Sequence, residues 1–174
     1  MSGKNKTVTP VRGTLRPGST LLALVKEHLG AVEPNHRSYL SEAIKPEFAD
    51  SLEVDSNLSE GREQENRWDY LLGHRALACV IGLEPHSAKD EEVKTVIRKK
   101  QRAQEQLRPH FRDGARVAEW YWVASGKNRF LDTEKTRRLL DQNGICFVCP
   151  QLAPKDLEKL EKQLRQNSQP RRRR

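Results

Sequence analysis

The chain has 174 residues, 35% of them hydrophobic and 32% charged, with a formal net charge of +8. That length suits one domain of ordinary size, and no apolar stretch approaches the roughly 18–20 residues that cross a bilayer. The three cysteines, an odd number without framework spacing, argue against a disulfide scaffold and fit a reducing compartment.

Residues 1–18 carry Lys4, Lys6, Arg12 and Arg16 and no acid, and Arg171–Arg174 close the sequence; taking both sets from the net +8 leaves 19–170 formally neutral. The expected organisation is therefore a basic flexible arm (1–18), a single α/β domain (19–166) and a basic disordered tail (167–174). Either arm attracts phosphates without sequence preference, or both are simply solvated. The arm has no apolar h-region, so no secretory leader is expected. The cytoplasm is the expected location, with the nucleus as the alternative if the Arg run is read as an import signal.

From Ser19 to Leu29 the residues Leu21, Leu22, Leu24, Val25 and Leu29 share a helical face, with Ser19 as cap and Gly30 as stop. A short helix is expected over Arg37–Ile44, ahead of Pro46. Alternation predicts a strand over Ser51–Leu58, followed by a polar loop at Ser59–Asn66. Arg67–His74 alternates Trp68, Tyr70 and Leu72 against Asp69 and Leu71. Ala76–Leu83 is nearly all apolar, as a strand covered on both faces requires. Ser87–Asp90 reads as a capping box for a helix with acids early and bases late, ended by Pro109.

Arg116–Ala124 is a further buried strand, with Trp120 and Trp122 on one face. A helix over Thr133–Gln142 has Asp132 as cap and Asn143-Gly144 as stop. Ile145–Cys149 is a short strand halted by Pro150, and Pro154–Gln166 is a last helix with Leu157, Leu160 and Leu164 on one face. Adjacent early strands predict an antiparallel meander, and the later strand–helix–strand unit a right-handed parallel crossover. The fold class is thus α/β, a mixed β-sheet flanked by helices.

Chemistry concentrates on two neighbouring strands. Asp69 lies in the first and Glu84 at the exit of the next; strands are under about 5 Å apart, so their carboxylates can meet on one hard divalent cation such as Mg²⁺. His86 shares the face of Glu84 if the strand runs that far. In the following helix Lys100 occupies a position where the register Val93, Val96, Ile97 calls for an apolar residue. It is the expected cation at the site, with Lys99 as fallback one step round the helix. The plainer readings are a hydrogen-bonded Asp69, a strand-to-helix turn at Glu84–Ser87, and a Lys100 that snorkels to water.

Taken together, Trp68-Asp69-Tyr70 and Leu83-Glu84-Pro85-His86 resemble the motif of the restriction-endonuclease-like, or PD-(D/E)XK, nucleases. The resemblance covers about Tyr39 to Cys149. It implies a core of helix, three strands, helix and strand, with metal held by Asp69 and Glu84. It further implies a Mg²⁺-dependent phosphodiester hydrolase acting on nucleic acid. His86 stands where the family has Lys, so Lys100 would supply the amine from the helix. Nucleic acid would be held by Arg98, Lys99, Arg102, Arg108, Arg112, Arg171 and Arg172. The alternatives are a non-catalytic nucleic-acid-binding or protein-interaction module of the same fold, and an accessory protein docking on a partner through Ser19–Leu29 and Pro154–Gln166.

Other motifs carry less. Cys146-Phe-Val-Cys149 lacks a second pair or a spaced His, so no zinc site is expected. Ser125-Gly126-Lys127-Asn128 lacks the upstream glycine of a phosphate-binding loop. His28, His36, His74 and His110 show no paired spacing.

Overall fold

A computed structural model describes residues 8–58, 67–86, 92–126 and 133–168. The polar loop expected at 59–66, the capping box at 87–90, Lys127, Asn128, Asp132, Arg171 and Arg172 lie outside the described residues.

The arm expected over 1–18 is folded against the body from Val8 onward. A single helical turn, α1 (Pro10–Thr14), opens on Pro at its first position and buries Val11 and, just after it, Leu15. Its free N–H groups are taken by the buried Asp50 carboxylate, which accepts from Val11 N at 3.1 Å, Arg12 N at 3.0 Å and Thr9 Oγ1 at 2.5 Å. A carboxylate at that end satisfies orphan donors and complements the helix dipole. Arg12 is thus a structural cation rather than part of a free arm.

The same residue explains why Ser19–Leu29 is not a helix. Its guanidinium donates to Leu22 O at 3.0 Å and Val25 O at 2.7 Å, carbonyls that a continuing helix would use itself. Ser19 caps only a 3₁₀ turn, Thr20–Leu24, after which β1 (Lys26–Glu27) pairs with the sheet edge. Arg37–Ile44 likewise shrinks to a 3₁₀ turn over His36–Tyr39. Leu40 then leaves it in extended form to bridge Leu152, and Leu40 and Ile44 are fully buried.

The remaining strands are β2 (Phe48–Glu53), β3 (Tyr70–His74), β4 (Cys79–Pro85), β5 (Glu119–Val123) and β6 (Cys146–Val148). β2 starts and ends earlier than the sequence pattern suggests, because Leu58 N returns to Val54 O in a 3₁₀ turn. The sheet runs β1-β2-β3-β4-β5-β6 in space. β1 to β4 form an antiparallel meander, and β4–β5 and β5–β6 are parallel. The α/β class and the mixed sheet are as expected.

Helices α2 (Glu92–Leu107), α3 (Glu134–Gln142) and α4 (Pro154–Ser168) complete the described elements. Thr133 caps α3, accepting from Thr136 N at 3.3 Å. Gly144, at φ 61°, turns the chain out of α3, a left-handed conformation that glycine adopts without strain.

Side chains alternate across the sheet and build two cores. One joins Leu71, Val80, Trp120 and Trp122 to Val93, Val96, Ala103 and Leu107 of α2. The other joins Tyr70, Leu72, Ile81, Leu83, Tyr121 and Val123 to Leu157 and Leu160 of α4. Trp68 departs from its expected side. The strand begins only at Tyr70, so Trp68 turns to the α2 face and meets Trp120 edge-on, with centroids 5.2 Å apart. Of the two segments proposed for partner docking, Leu21, Val25 and Leu29 and then Leu157 and Leu160 are buried within the chain, while Leu24 is exposed. None of the described helices is long and apolar enough to cross a membrane.

Candidate functional site

β3 and β4 place Asp69 and Glu84 across from each other. Tyr70 pairs with Leu83 in an antiparallel register, so one step further Asp69 faces Glu84, and directly opposed residues share a sheet face. Asp69 N donates to Glu84 Oε2 at 3.1 Å. On its other flank Glu84 pairs in register with Trp122 of β5. The carboxylate thus sits inside the sheet rather than at its margin, under α2.

The cation that reaches this pair is Lys99. Its Nζ lies 2.5 Å from Glu84 Oε1 and 3.4 Å from Asp69 Oδ1. Lys100, the cation expected there, points elsewhere: it donates to Gly144 O at 2.9 Å and to Asn143 O, and lies 5.8 Å from the Trp120 ring centroid. It satisfies carbonyls at the C-terminus of α3, where a cation complements the helix dipole. Adjacent helical residues differ by about 100° in direction. The apolar stripe correctly buries Lys100, but that stripe faces β5 and α3. Lys99, one step round, is the residue aimed at β3 and β4. It is accordingly an inward cation, not one of the surface phosphate contacts.

His86 also reaches α2 but not the carboxylates; its Nε2 lies 2.7 Å from Glu92 Oε2. Glu92 precedes Lys99 by about two helical turns, roughly 10 Å along the axis. His86 and Glu92 thus fasten the end of β4 to the start of α2, and His86 is a positioning group rather than a ligand.

The charges are poorly solvated. Glu84 is fully buried, and the side chains of Asp69 and Lys99 are 20% and 12% exposed. Burial first, then the negative charge of Asp69, pushes the Glu84 carboxyl up to about 8, against the opposing pull of Lys99. Burial also raises Asp69, offset mainly by Lys99. For Lys99 burial favours the neutral amine, but Glu84 and Asp69 together outweigh it and hold the ammonium raised. Two carboxylates facing one ammonium leave one negative charge in excess, and burial pushes both acids toward their protonated forms.

A divalent cation would balance the same site without protonation. The donors are hard carboxylate oxygens, the type Mg²⁺ and Mn²⁺ prefer. Among the described residues the buried Trp122 indole N–H has no hydrogen-bond partner. Among the described residues no cluster of three or more His, Cys, Asp or Glu converges as a metal cage. Asp69 and Glu84 thus offer two carboxylate donors of the kind Mg²⁺ takes, with the Lys99 ammonium now in contact with both.

The expected surface cations divide into two groups. Arg98 and Arg102 are exposed on α2, where Arg102 pairs with Glu105 at 3.1 Å. Arg108 and Arg112 instead line a cleft of about 560 Å³ together with Arg16 and Arg116. The last two have no motif to mark them, since the chain brings them together only through the fold. Neither Cys146 nor Cys149 is in a disulfide.

No protein-family model matches the chain, and neither a curated protein nor a solved structure matches it.

Proposed function

We propose that the chain is a metal-dependent phosphodiester hydrolase of restriction-endonuclease-like topology, acting on nucleic acid. The observation that carries this reading is the meeting of Asp69, Glu84 and Lys99 at one ammonium. The order β2-β3-β4-α2-β5, three antiparallel strands and then a parallel one across a helix, supports this reading, although a 3₁₀ turn stands where the resemblance implies a first helix. Lys99 on α2 takes the role of the amine that Pro85-His86 lacks.

In this reading Asp69 and Glu84 hold Mg²⁺, which when bound polarises the phosphodiester and makes water a better nucleophile. Lys99 gives up part of its contact with the carboxylates and offsets the charge that grows on phosphate. The water oxygen bonds to phosphorus as the bond to the leaving sugar oxygen breaks, and that oxygen takes a proton. His86 and Glu92 hold the end of β4 against α2. Arg98 and Arg102 supply sequence-independent attraction to the backbone.

A second reading has one observation in its favour. Lys99 already neutralises the fully buried Glu84, as a purely structural ion pair in a non-catalytic module of this fold would. Incubating DNA and RNA with the protein, in Mg²⁺, Mn²⁺ or EDTA, separates the two. The hydrolase reading expects divalent-dependent cleavage that Glu84→Gln and Lys99→Met each reduce by about 100-fold or more, as loss of a charge-stabilising group does. Binding without cleavage in any metal supports the module.

A further inference from the structure

The described carboxylates on the cleft behind the last turn of α2 are already engaged. Its lining includes Arg16, Arg108, Arg112 and Arg116 against Asp113 and Glu105. Asp113 is held by Arg16 at 3.0 Å and Glu105 by Arg102 at 3.1 Å. Arg108, Arg112 and Arg116 are exposed and have no carboxylate partner among the described residues. Exposed guanidinium groups lining one cleft favour an anion, and phosphate matches their planar forks in two-point contact.

The walls are fixed by backbone bonds rather than left as loose loops. Arg16 N donates to His110 O at 2.8 Å and Arg112 N to Thr14 O at 2.9 Å. Leu15 bridges Phe111, and the Arg16 side chain donates to Phe111 O. Leu107, Phe111, Val117 and Trp120 also line the cleft, an apolar floor of which Phe111 and Val117 are the half-exposed part. The volume, about 560 Å³, falls within the roughly 300–1,000 Å³ of pockets that hold small organic ligands. A purely inorganic anion would leave that floor unused.

We propose that this cleft binds a nucleoside phosphate, its phosphate on Arg108, Arg112 and Arg116 and its base over the floor. The unit comes either from a free nucleotide or from the phosphorylated end of a strand. The inference deepens the nucleic-acid reading above, because α2 joins the two places: Lys99 holds the carboxylates, and Gln104, Glu105 and Leu107 wall the cleft. It does not require that the chain cleave anything.

Calorimetric binding in EDTA tests it with four probes: adenosine 5′-monophosphate, ribose 5-phosphate, and a short single strand with and without a 5′-phosphate. The nucleotide or the phosphorylated strand binds, and Arg112→Ala and Arg116→Ala each weaken binding about tenfold, the size of one lost charged contact. Tighter binding of the phosphorylated strand assigns the cleft to strand ends, and tighter binding of the mononucleotide to free nucleotides. The proposal is overturned if neither binds, if ribose 5-phosphate binds as well as the nucleotide, or if the two arginine variants, shown folded by thermal melting, bind like wild type. Cleavage lost with binding intact would sink only the hydrolase reading; the reverse result would sink only this one.

Discussion

Lys99 and Lys100 are neighbours in sequence with opposite duties, and substitution should separate them. Lys100→Met removes donors from Asn143 O and Gly144 O and should lower stability by about 1–3 kcal/mol, the range for leaving such groups unpaired, while cleavage survives. Lys99→Met should abolish cleavage and also destabilise, because it strands Glu84 without its cation. Chemical denaturation and a cleavage assay on both variants check this pair. Register made the acid pair legible in the sequence, since Asp69 and Glu84 lie on adjacent strand segments whose pairing brings them opposite. The choice of lysine was not legible. Apolar periodicity reports which residue is buried, and here the buried lysine serves a helix end, while the partly buried one meets the acids.

Glu84 also gives the fold a definite pH dependence. Its carboxyl is raised to about 8 by burial and by Asp69, so the folded chain holds a proton that the unfolded chain releases near 4.5. Stability from this group is complete below the unfolded value and is lost as pH rises through the folded one. Thermal melting should therefore show declining stability from about pH 5 to pH 9, and Glu84→Gln should flatten that decline. An unaltered slope in the variant would mean that Glu84 is not the titrating group.

At the scale of elements, the strands read best where burial on both faces left little choice, as in Tyr70–His74, Cys79–Pro85 and Glu119–Val123. The N-terminal third read worst because its conformation is set by distant partners. Asp50, in β2, organises α1, and Arg12 takes the carbonyls of residues 22 and 25. No local pattern encodes either bond. Asp50→Ala should release this segment and cost about 2–4 kcal/mol, given a lost helix cap and buried donors left unpaired. Faster tryptic cleavage at Arg12 and a lower denaturant midpoint are the readouts.

Gly82 marks a second constraint of this kind. A Cβ there would lie 2.5 Å from Trp120 Cε3 and 3.0 Å from Trp68 Nε1. Gly82→Ala should cost about 1–3 kcal/mol through overpacking and disturb the Trp68–Trp120 contact, which near-ultraviolet circular dichroism reports.

For the whole molecule, the charge pattern has more structure than two basic ends around a neutral body. Part of the N-terminal charge is spent inside the fold, and Arg16 joins Arg108, Arg112 and Arg116 around one cleft. The acid pair and the cleft are both served by α2, from its middle and its last turn. Composition could show the excess of basic residues but not this assembly, because residues 16 and 116 meet only through tertiary packing.

The proposed hydrolase requires the buried Asp69–Glu84 pair to accept a divalent cation in exchange for a proton. Mn²⁺ titration by calorimetry at pH 7, repeated in two buffers of different ionisation enthalpy, measures both events at once. Saturable binding with release of about one proton, abolished in Glu84→Gln, is the predicted result; no binding, or binding that the variant leaves intact, would contradict it.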